Sequence, residues 1–281
     1  MSARQRPVAV TGATGHVGGR IARRLAAAGV PQRLVVRDLS RAPRLDGAEP
    51  VQASFSDTGA LAAALAGIET VFMVSAAETA DRVSVHTTFV DVAAAAGVVA
   101  IVYLSFARAA PDATFTLARD HWATEEHIRR AGLRFTFLRD NIYADFMPLM
   151  VGEDAVIRGP AGNGRVAAVA QDDVADVAAA VLLQPRDHDG ATYELTGPEA
   201  LSLHEVAAML SQSTGRTISY HNETVEEAYT SRARYGAPQW QVDAWVSTYL
   251  AVASGELAAV SDDVQRVCGH PARALAQVLS G

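Results

Sequence analysis

Three glycines, Gly12, Gly15 and Gly18, stand three residues apart between a short apolar run, Val8 to Thr11, and a stripe of Val17, Ile21 and Leu25 at four-residue spacing. That stripe falls on one face of a helix, so the order is strand, glycine turn, helix. The chemistry this order suits is anion binding, because backbone N–H groups and the positive end of the helix dipole meet at the helix start. Gly12 can take the angles of a tight turn, Gly15 admits a pyrophosphate to the main chain, and Gly18 lets the helix lie against the strand. A dinucleotide site is the functional reading; a merely structural turn is the alternative.

A second group of residues bears on which dinucleotide. The next apolar run, Arg33 to Arg37, ends in Arg37 and then Asp38. An acid at this strand end suits the ribose of NAD, whereas an arginine suits the 2′-phosphate of NADP by a bidentate contact. Arg41 and Arg44 follow, so the local field is positive and the reading favours NADP(H); Asp38 is the residue that speaks for NAD. Ser75, Ala76 and Ala77 are small residues at the end of a third run, Thr70 to Val74, where a cofactor would cross the carboxyl edge of a sheet. Small residues at such a point also pack well under a helix.

Composition narrows the classes. The chain has 281 residues, 24 basic and 31 acidic, for a net charge of −7, which argues against wrapping nucleic acid. Every one of the 24 basic residues is arginine, so lysine-dependent chemistry, including Schiff bases and the P-loop lysine, is excluded. Cys268 is the sole cysteine, so no internal disulfide can form and a reducing cytoplasm is the expected compartment. The start of the chain shows no apolar leader, and no apolar run has the length of a membrane span. No metal-ligand pattern is present. A homodimer is one assembly open to such a chain.

The elements that must position these residues follow from periodicity. Strands are expected at Val8–Thr11, Arg33–Arg37, Pro50–Ala53, Thr70–Val74, Val98–Leu104 and Arg134–Leu138, with helices after most of them. Asp81–Ala96 is a helix carrying His86, to which no role is assigned. Ser105 is delivered to the same sheet edge, and His121 and Glu125 lie four apart on the helix Ala118–Ala131, close enough to act together. Alternation of strands and helices predicts a doubly wound parallel sheet, an α/β fold. Residues 1–150 are read as the nucleotide-binding domain and 151–281 as a smaller cap, partly interleaved with it. Within the cap, Ala155–Arg158 and Arg165–Val169 are expected to pair as a hairpin around Asn163-Gly164. Ser202 and Glu205 have capping-box spacing at the start of a helix. Further helices are expected at Asp172–Leu183, Thr224–Tyr235, Gln239–Ala253 and Ala272–Leu279.

Several segments together resemble a known family. TGATGHVGG at Thr11–Gly19, VVRD at Val35–Asp38 and LRDNIYADF at Leu138–Phe146 resemble the NmrA-like branch of atypical short-chain dehydrogenases, and within it the type 2 NAD(P)H:quinone oxidoreductases. The likeness continues through VAQDDVADVAAAVL, YELTGPEALSLHEVA and VCGHPARAL, so it covers nearly the whole chain. The resemblance implies a Rossmann sheet of order 3-2-1-4-5-6 and a smaller α/β C-terminal domain, with NADPH and a small apolar or aromatic substrate meeting in the cleft. It implies a pyrophosphate loop of Gly12, Ala13, Thr14, Gly15, His16 and Val17, with Arg37 on the 2′-phosphate. Ser75, Ala76 and Ala77 would line the cofactor, and Asp140, Asn141, Ile142 and Tyr143 would begin the segment around its nicotinamide. Ser54 stands where relatives often have an acid near the adenine. His121 stands near the usual dehydrogenase tyrosine, with Glu125 in place of the lysine of the Tyr-x-x-x-Lys pair; the quinone reductases also carry a histidine here.

The activity implied is hydride transfer from NAD(P)H to a quinone-like or other conjugated carbonyl acceptor. Such an acceptor tolerates the loss of lysine, since water can protonate the product, whereas alcohol oxidation needs a base. Candidate proton donors or oxyanion partners are His121, Tyr143 and, less directly, Ser105. The apolar residues Phe146 to Met150 fit either a pocket wall for a flat substrate or a core helix. Two other readings share the cofactor site: a redox sensor that binds NAD(P) without turnover, and a reductase for a specific enone or imine. Replacing Arg37 by alanine is expected to weaken NADPH binding by about 1.5 kcal/mol or more and to leave NADH nearly unchanged. Parallel fluorescence titrations check this, and equal weakening of both would remove Arg37 from the phosphate.

Overall fold

A glycine turn that must hold phosphates needs a strand on one side and a helix on the other, and the computed structural model, which describes residues 6–280, has both. In chain order the first part contains β1 (Val8–Thr11), α1 (His16–Ala27), β2 (Gln32–Val36), β3 (Ala48–Gln52), α2 (Thr58–Leu65), β4 (Thr70–Val74), α3 (Arg82–Ala95), β5 (Ala100–Phe106), α4 (Thr116–Arg130) and β6 (Arg134–Asp140). The rest supplies β7 (Val156–Gly159), β8 (Arg165–Val166), α5 (Gln171–Leu183), β9 (Thr192–Leu195), β10 (Leu201–Ser202), α6 (Leu203–Thr214), β11 (Ser219–Asn222), α7 (Val225–Arg232), α8 (Gln239–Ala253), α9 (Asp263–Cys268) and α10 (Leu275–Ser280).

Seven strands form one sheet in the order β3-β2-β1-β4-β5-β6-β9, the Rossmann order with one further strand. β1 pairs in parallel with both β2 and β4, so the direction of strand succession reverses there. Such a switch point is where open α/β sheets bind ligands, outside the carboxyl ends of the strands. The backbone ladder between β1 and β4 reaches Val10 and Phe72, and the side chain of Thr11 then takes over. Its hydroxyl donates to the Phe72 carbonyl (3.2 Å) and accepts from the Val74 N–H (2.8 Å). β9 continues the sheet in parallel, since Phe137 donates to Ala191 and Asn141 to Leu195, four residues on in each strand. β5 is buried from Ala100 to Ser105, as a strand covered on both faces should be.

The chain forms two compact units. One comprises residues 1–105, 121–139 and 174–193; the other comprises 106–120, 140–173 and 194–281. The units interleave along the chain, and β9, the last strand of the sheet, comes well after the first six. In the first unit Phe89, Tyr103, Phe137, Leu61, Leu65 and Ile101 share one buried cluster. Each such side chain contributes on the order of 1.5–3 kcal/mol of burial.

The second unit has its own core, in which Met147, Ile157, Val166, Leu203, Val206 and Leu210 are buried together. The expected hairpin is absent. β7 pairs in parallel with β11, and β8 pairs antiparallel with β10. The Asn163-Gly164 signal has another cause: a Cβ at Gly164 would lie 2.1 Å from the Val252 carbonyl oxygen, so glycine is required by close backbone approach to α8. Ser202 and Glu205 do form the capping box of α6. β11 and α9 were not anticipated, being too short and too polar to show a period.

Among the described residues no helix is long and apolar enough to cross a membrane. The first five residues, on which the absence of an apolar leader partly bears, lie outside the described residues. The tightest constraint in the fold sits between the glycine turn and α1. A Cβ at Gly18 would lie 2.3 Å from the Gly12 carbonyl oxygen and 2.6 Å from its carbon. Gly18→Ala is accordingly expected to destabilise by about 1–3 kcal/mol through overpacking, although helix propensity alone would stabilise by about 1 kcal/mol. Urea denaturation reads the sign.

Candidate active site

The glycine turn is shaped for an anion by backbone alone. Gly12 sits at φ +66°, and a Cβ there would also meet Val74 at 2.9 Å. Gly15 donates to the Gly12 carbonyl (2.9 Å), which closes the turn. As the N-cap of α1, Gly15 is extended and supplies no side-chain cap, and the first turn of α1 has no acid. The leading N–H groups of the helix therefore keep the partial positive charge that a phosphate would meet. Ala13 and Val17 are buried beneath the loop, Thr14 is half-buried, and Gly15 and His16 are exposed.

At the end of β2 the two competing signals separate. Asp38 turns onto Ser40, accepting from its N–H (2.9 Å) and its hydroxyl (2.7 Å), and so caps the 3-10 turn Leu39–Arg41. The Ser40 hydroxyl and amide hold the Asp38 carboxyl below its usual range. Arg37 is exposed and its guanidinium is unpartnered among the described residues, its carbonyl alone being engaged by Gln52 (3.0 Å). The residue that spoke for NAD is occupied by local structure, and the one that spoke for NADP is open.

Behind the sheet edge lies a buried polar layer that the sequence reading largely missed. His86, given no role, accepts a hydrogen bond from the Ala76 N–H at Nε2 (2.8 Å). Its Nδ1 is 2.9 Å from the Thr124 hydroxyl. Burial, with Arg82 nearby, pushes its pKa down to about 3, so the ring is neutral, with its proton on Nδ1 facing Thr124. His86 thus fixes the backbone of the Ser75–Ala77 segment from α3. One signal was available: a histidine at a position that α3 buries has to find polar partners.

His121 is treated likewise. Its Nε2 accepts from the Arg82 guanidinium (3.1 Å), so its remaining proton sits on Nδ1 and points at the Tyr103 hydroxyl (2.9 Å). Burial foremost, then Arg82, His86 and Arg139, hold its pKa well below the ordinary value. It is a neutral positioning group rather than a proton source. Glu125, expected to work with His121, is engaged by other partners. It accepts from Ser105 Oγ (2.6 Å) and in bidentate fashion from Arg139 (2.9 and 2.7 Å). The Ser105 proton is therefore committed to a carboxylate, and Ser105 itself is fully buried.

The segment after β6 belongs to the second unit. Tyr143 donates to Asp140 Oδ2, and burial together with that carboxylate raises the phenol pKa well above 10. Asn141 donates to the Leu257 carbonyl (3.0 Å) and accepts from the Ile142 N–H (2.8 Å). The Ile142 carbonyl accepts from Val169 (3.0 Å), and Asp145 accepts from the Gln171 N–H at the start of α5 (2.8 Å). The side chains of Asp140, Asn141 and Asp145 thus hold the loop in shape. Beyond it, Ala144–Met150 is a 3-10 helix containing Pro148. Proline's missing N–H and its clash with the carbonyl four residues back prevent an α-helix. Phe146, Leu149 and Met150 line a cavity of about 560 Å³ with Ile142, Trp245 and Tyr249. The apolar run is divided, since Met147 is buried in the core of the second unit while its neighbours face the cavity.

A switch-point sheet, a glycine turn whose helix start has no side-chain cap and an open arginine after β2 define a dinucleotide-binding α/β protein. The model of the NmrA-like family matches residues 4–239, and the chain belongs to that family. It is similar to the NAD(P)H azoreductase of Xenophilus azovorans, with 32% identity over 96% of each chain. It is also similar to the crystal structure of the NADPH-dependent quinone oxidoreductase 2 of Escherichia coli complexed with NADPH. That likeness has 30% identity and a TM-score of 0.88, over 97% of this chain and 98% of the other. The triphenylmethane reductase of Citrobacter sp. complexed with NADP(H) matches at 29% identity with a TM-score of 0.86, over 97% of this chain and 99% of the other.

The neutral histidines make stability depend on pH. A group whose folded pKa is depressed binds its proton more readily when unfolded, so its contribution is intact above its ordinary pKa of 6.5 and is lost as pH falls. For His86 the loss runs from 6.5 down to about 3, at up to about 1.4 kcal/mol per pH unit. Denaturation between pH 7 and 4.5 is expected to show this slope, and His86→Gln is expected to reduce it by up to that amount.

Proposed function

We propose that this chain is an NAD(P)H-dependent reductase that passes hydride to a quinone-like or other conjugated acceptor, with NADPH preferred over NADH. The Gly12–Val17 backbone holds the pyrophosphate, Arg37 the 2′-phosphate, and Ser75–Ala77 line the nicotinamide half. When bound, the nicotinamide supplies the hydride. The cofactor preference is supported by the division of labour between Asp38 and Arg37 described above, and by relatives whose structures hold NADPH or NADP(H).

The observation that carries the choice of acceptor is the state of the three candidate proton donors. His121 is neutral, its Nδ1 proton directed at the Tyr103 hydroxyl, Ser105 donates to Glu125, and Tyr143 holds its proton tightly against Asp140. No side chain among them is poised to take a hydroxyl proton, which disfavours alcohol oxidation. An acceptor whose reduced form is a stabilised anion, protonated by water, needs no such group. Azo and quinone acceptors, named for two of the relatives, are of this kind. The cavity beside Ile142 offers a flat apolar molecule aromatic walls. The single, half-buried Cys268 suits a reducing cytoplasm, and the net charge of −7 opposes a nucleic-acid partner.

The test is loss of reduced-nicotinamide absorbance with a panel of quinones. Turnover with NADPH ahead of NADH is expected, and kcat is expected to be flat between about pH 6 and 8, because neither His86 nor His121 titrates there. Tight cofactor binding without turnover on any acceptor would overturn the reading in favour of a sensor.

A further inference from the structure

The cavity of the second unit has a charge pattern that an apolar pocket does not need. Its lining includes Arg158, Arg232 and Arg234 and no aspartate or glutamate, in a chain whose net charge is −7. Two of these cations are neutralised from behind. Arg158 pairs with Asp154 (2.9 Å). Arg232, nearly fully buried, pairs with Glu223 (2.9 Å), donates to the Arg158 and Ala228 carbonyls, and lies over the Tyr249 ring at 5.0 Å.

Arg234 differs. Its guanidinium donates to the hydroxyl of its neighbour Tyr235 (3.2 Å) and lies 5.1 Å from that ring's centroid. Among the described residues it has no carboxylate partner. Tyr235 in turn meets the Trp245 ring edge-on at 5.8 Å. The result is an exposed cation without a carboxylate partner, set in the aromatic wall of the cavity. Cations so placed present a fork of donors to a planar anion while an adjoining ring takes its apolar body.

We infer that the cavity selects conjugated acceptors carrying an anionic substituent, such as a carboxylate, sulfonate or phosphate, with Arg234 as the specificity-determining residue. This rests on the proposed reductase activity, with this cavity as its acceptor site. An acid-free wall also makes a cationic acceptor unfavourable, because nothing in the lining offsets its charge.

A naphthoquinone sulfonate and its uncharged parent form the decisive pair, assayed with NADPH on the wild type, Arg234→Gln and Arg234→Lys. The ratio of kcat/KM for the sulfonate to that for the parent is expected to fall about tenfold in Arg234→Gln and to recover only in part in Arg234→Lys, whose ammonium restores the charge without the fork of donors. In the wild type, KM for the sulfonate is expected to rise with salt more steeply than KM for the parent. An unchanged ratio in Arg234→Gln would overturn the inference while leaving the reductase intact. If neither quinone is reduced, the reductase reading fails, and a tryptophan fluorescence titration with the sulfonate decides the pocket alone. Binding lost in Arg234→Gln supports it; absent or insensitive binding overturns it.

Discussion

The contact on which the rest depends is the approach of the Gly12 carbonyl to the helix at Gly18, where a single methyl group would sit 2.3 Å from oxygen. This closeness aims the start of α1 at the switch point between β1 and β4. It also fixes the turn so tightly that Val74 leaves no room for a side chain on Gly12. The Thr11 hydroxyl completes the arrangement by joining β1 to β4 where their backbone ladder ends. A turn proposed to hold phosphates by its N–H groups has to be rigid, because main-chain donors cannot adjust as side chains can.

Beneath that edge the protein carries charge and polarity inward and then quiets them. Two histidines are held neutral, each with one nitrogen accepting and the other donating, and Glu125 is closed off by Arg139 and Ser105. Buried groups treated this way are costly to break, since a partner left alone keeps its desolvation penalty. The layer therefore reads as scaffolding. It holds the Ser75–Ala77 backbone and the Tyr103 hydroxyl in place. The chain has no lysine, the side chain usually recruited to poise a phenol in this superfamily.

The second unit shows a division of the same kind. Asp140, Asn141 and Asp145 spend their side chains on the loop itself, and Arg158 and Arg232 are matched by Asp154 and Glu223. What remains open to a ligand is an apolar and aromatic surface with a cation, Arg234, that has no carboxylate partner among the described residues. Pro148 contributes by keeping Ala144–Met150 out of an α-helix, which leaves Phe146 and Leu149 exposed at the cavity rather than packed in a core.

By itself the sequence determined the first six strands and the glycine turn. Period, glycine spacing and strand order are local signals, and they sufficed for β1 to β6 and for the turn at Gly12–Val17. It also determined what chemistry is unavailable, since composition alone removes lysine. Tertiary structure decided the partners. Asn163-Gly164 has the look of a hairpin turn, yet β7 and β8 pair with distant strands, because Gly164 is held against α8 by a contact no local pattern reveals. His121 and Glu125 share a helix face but serve different neighbours, and His86 gains its place only once α3 and α4 meet. Arg234 is one arginine among 24 until the fold matches Arg158 and Arg232 with acids and leaves it, among the described residues, without one. Hydrogen-bond partners and protonation depend on which groups burial brings together, and burial is a property of the folded chain rather than of any stretch of it.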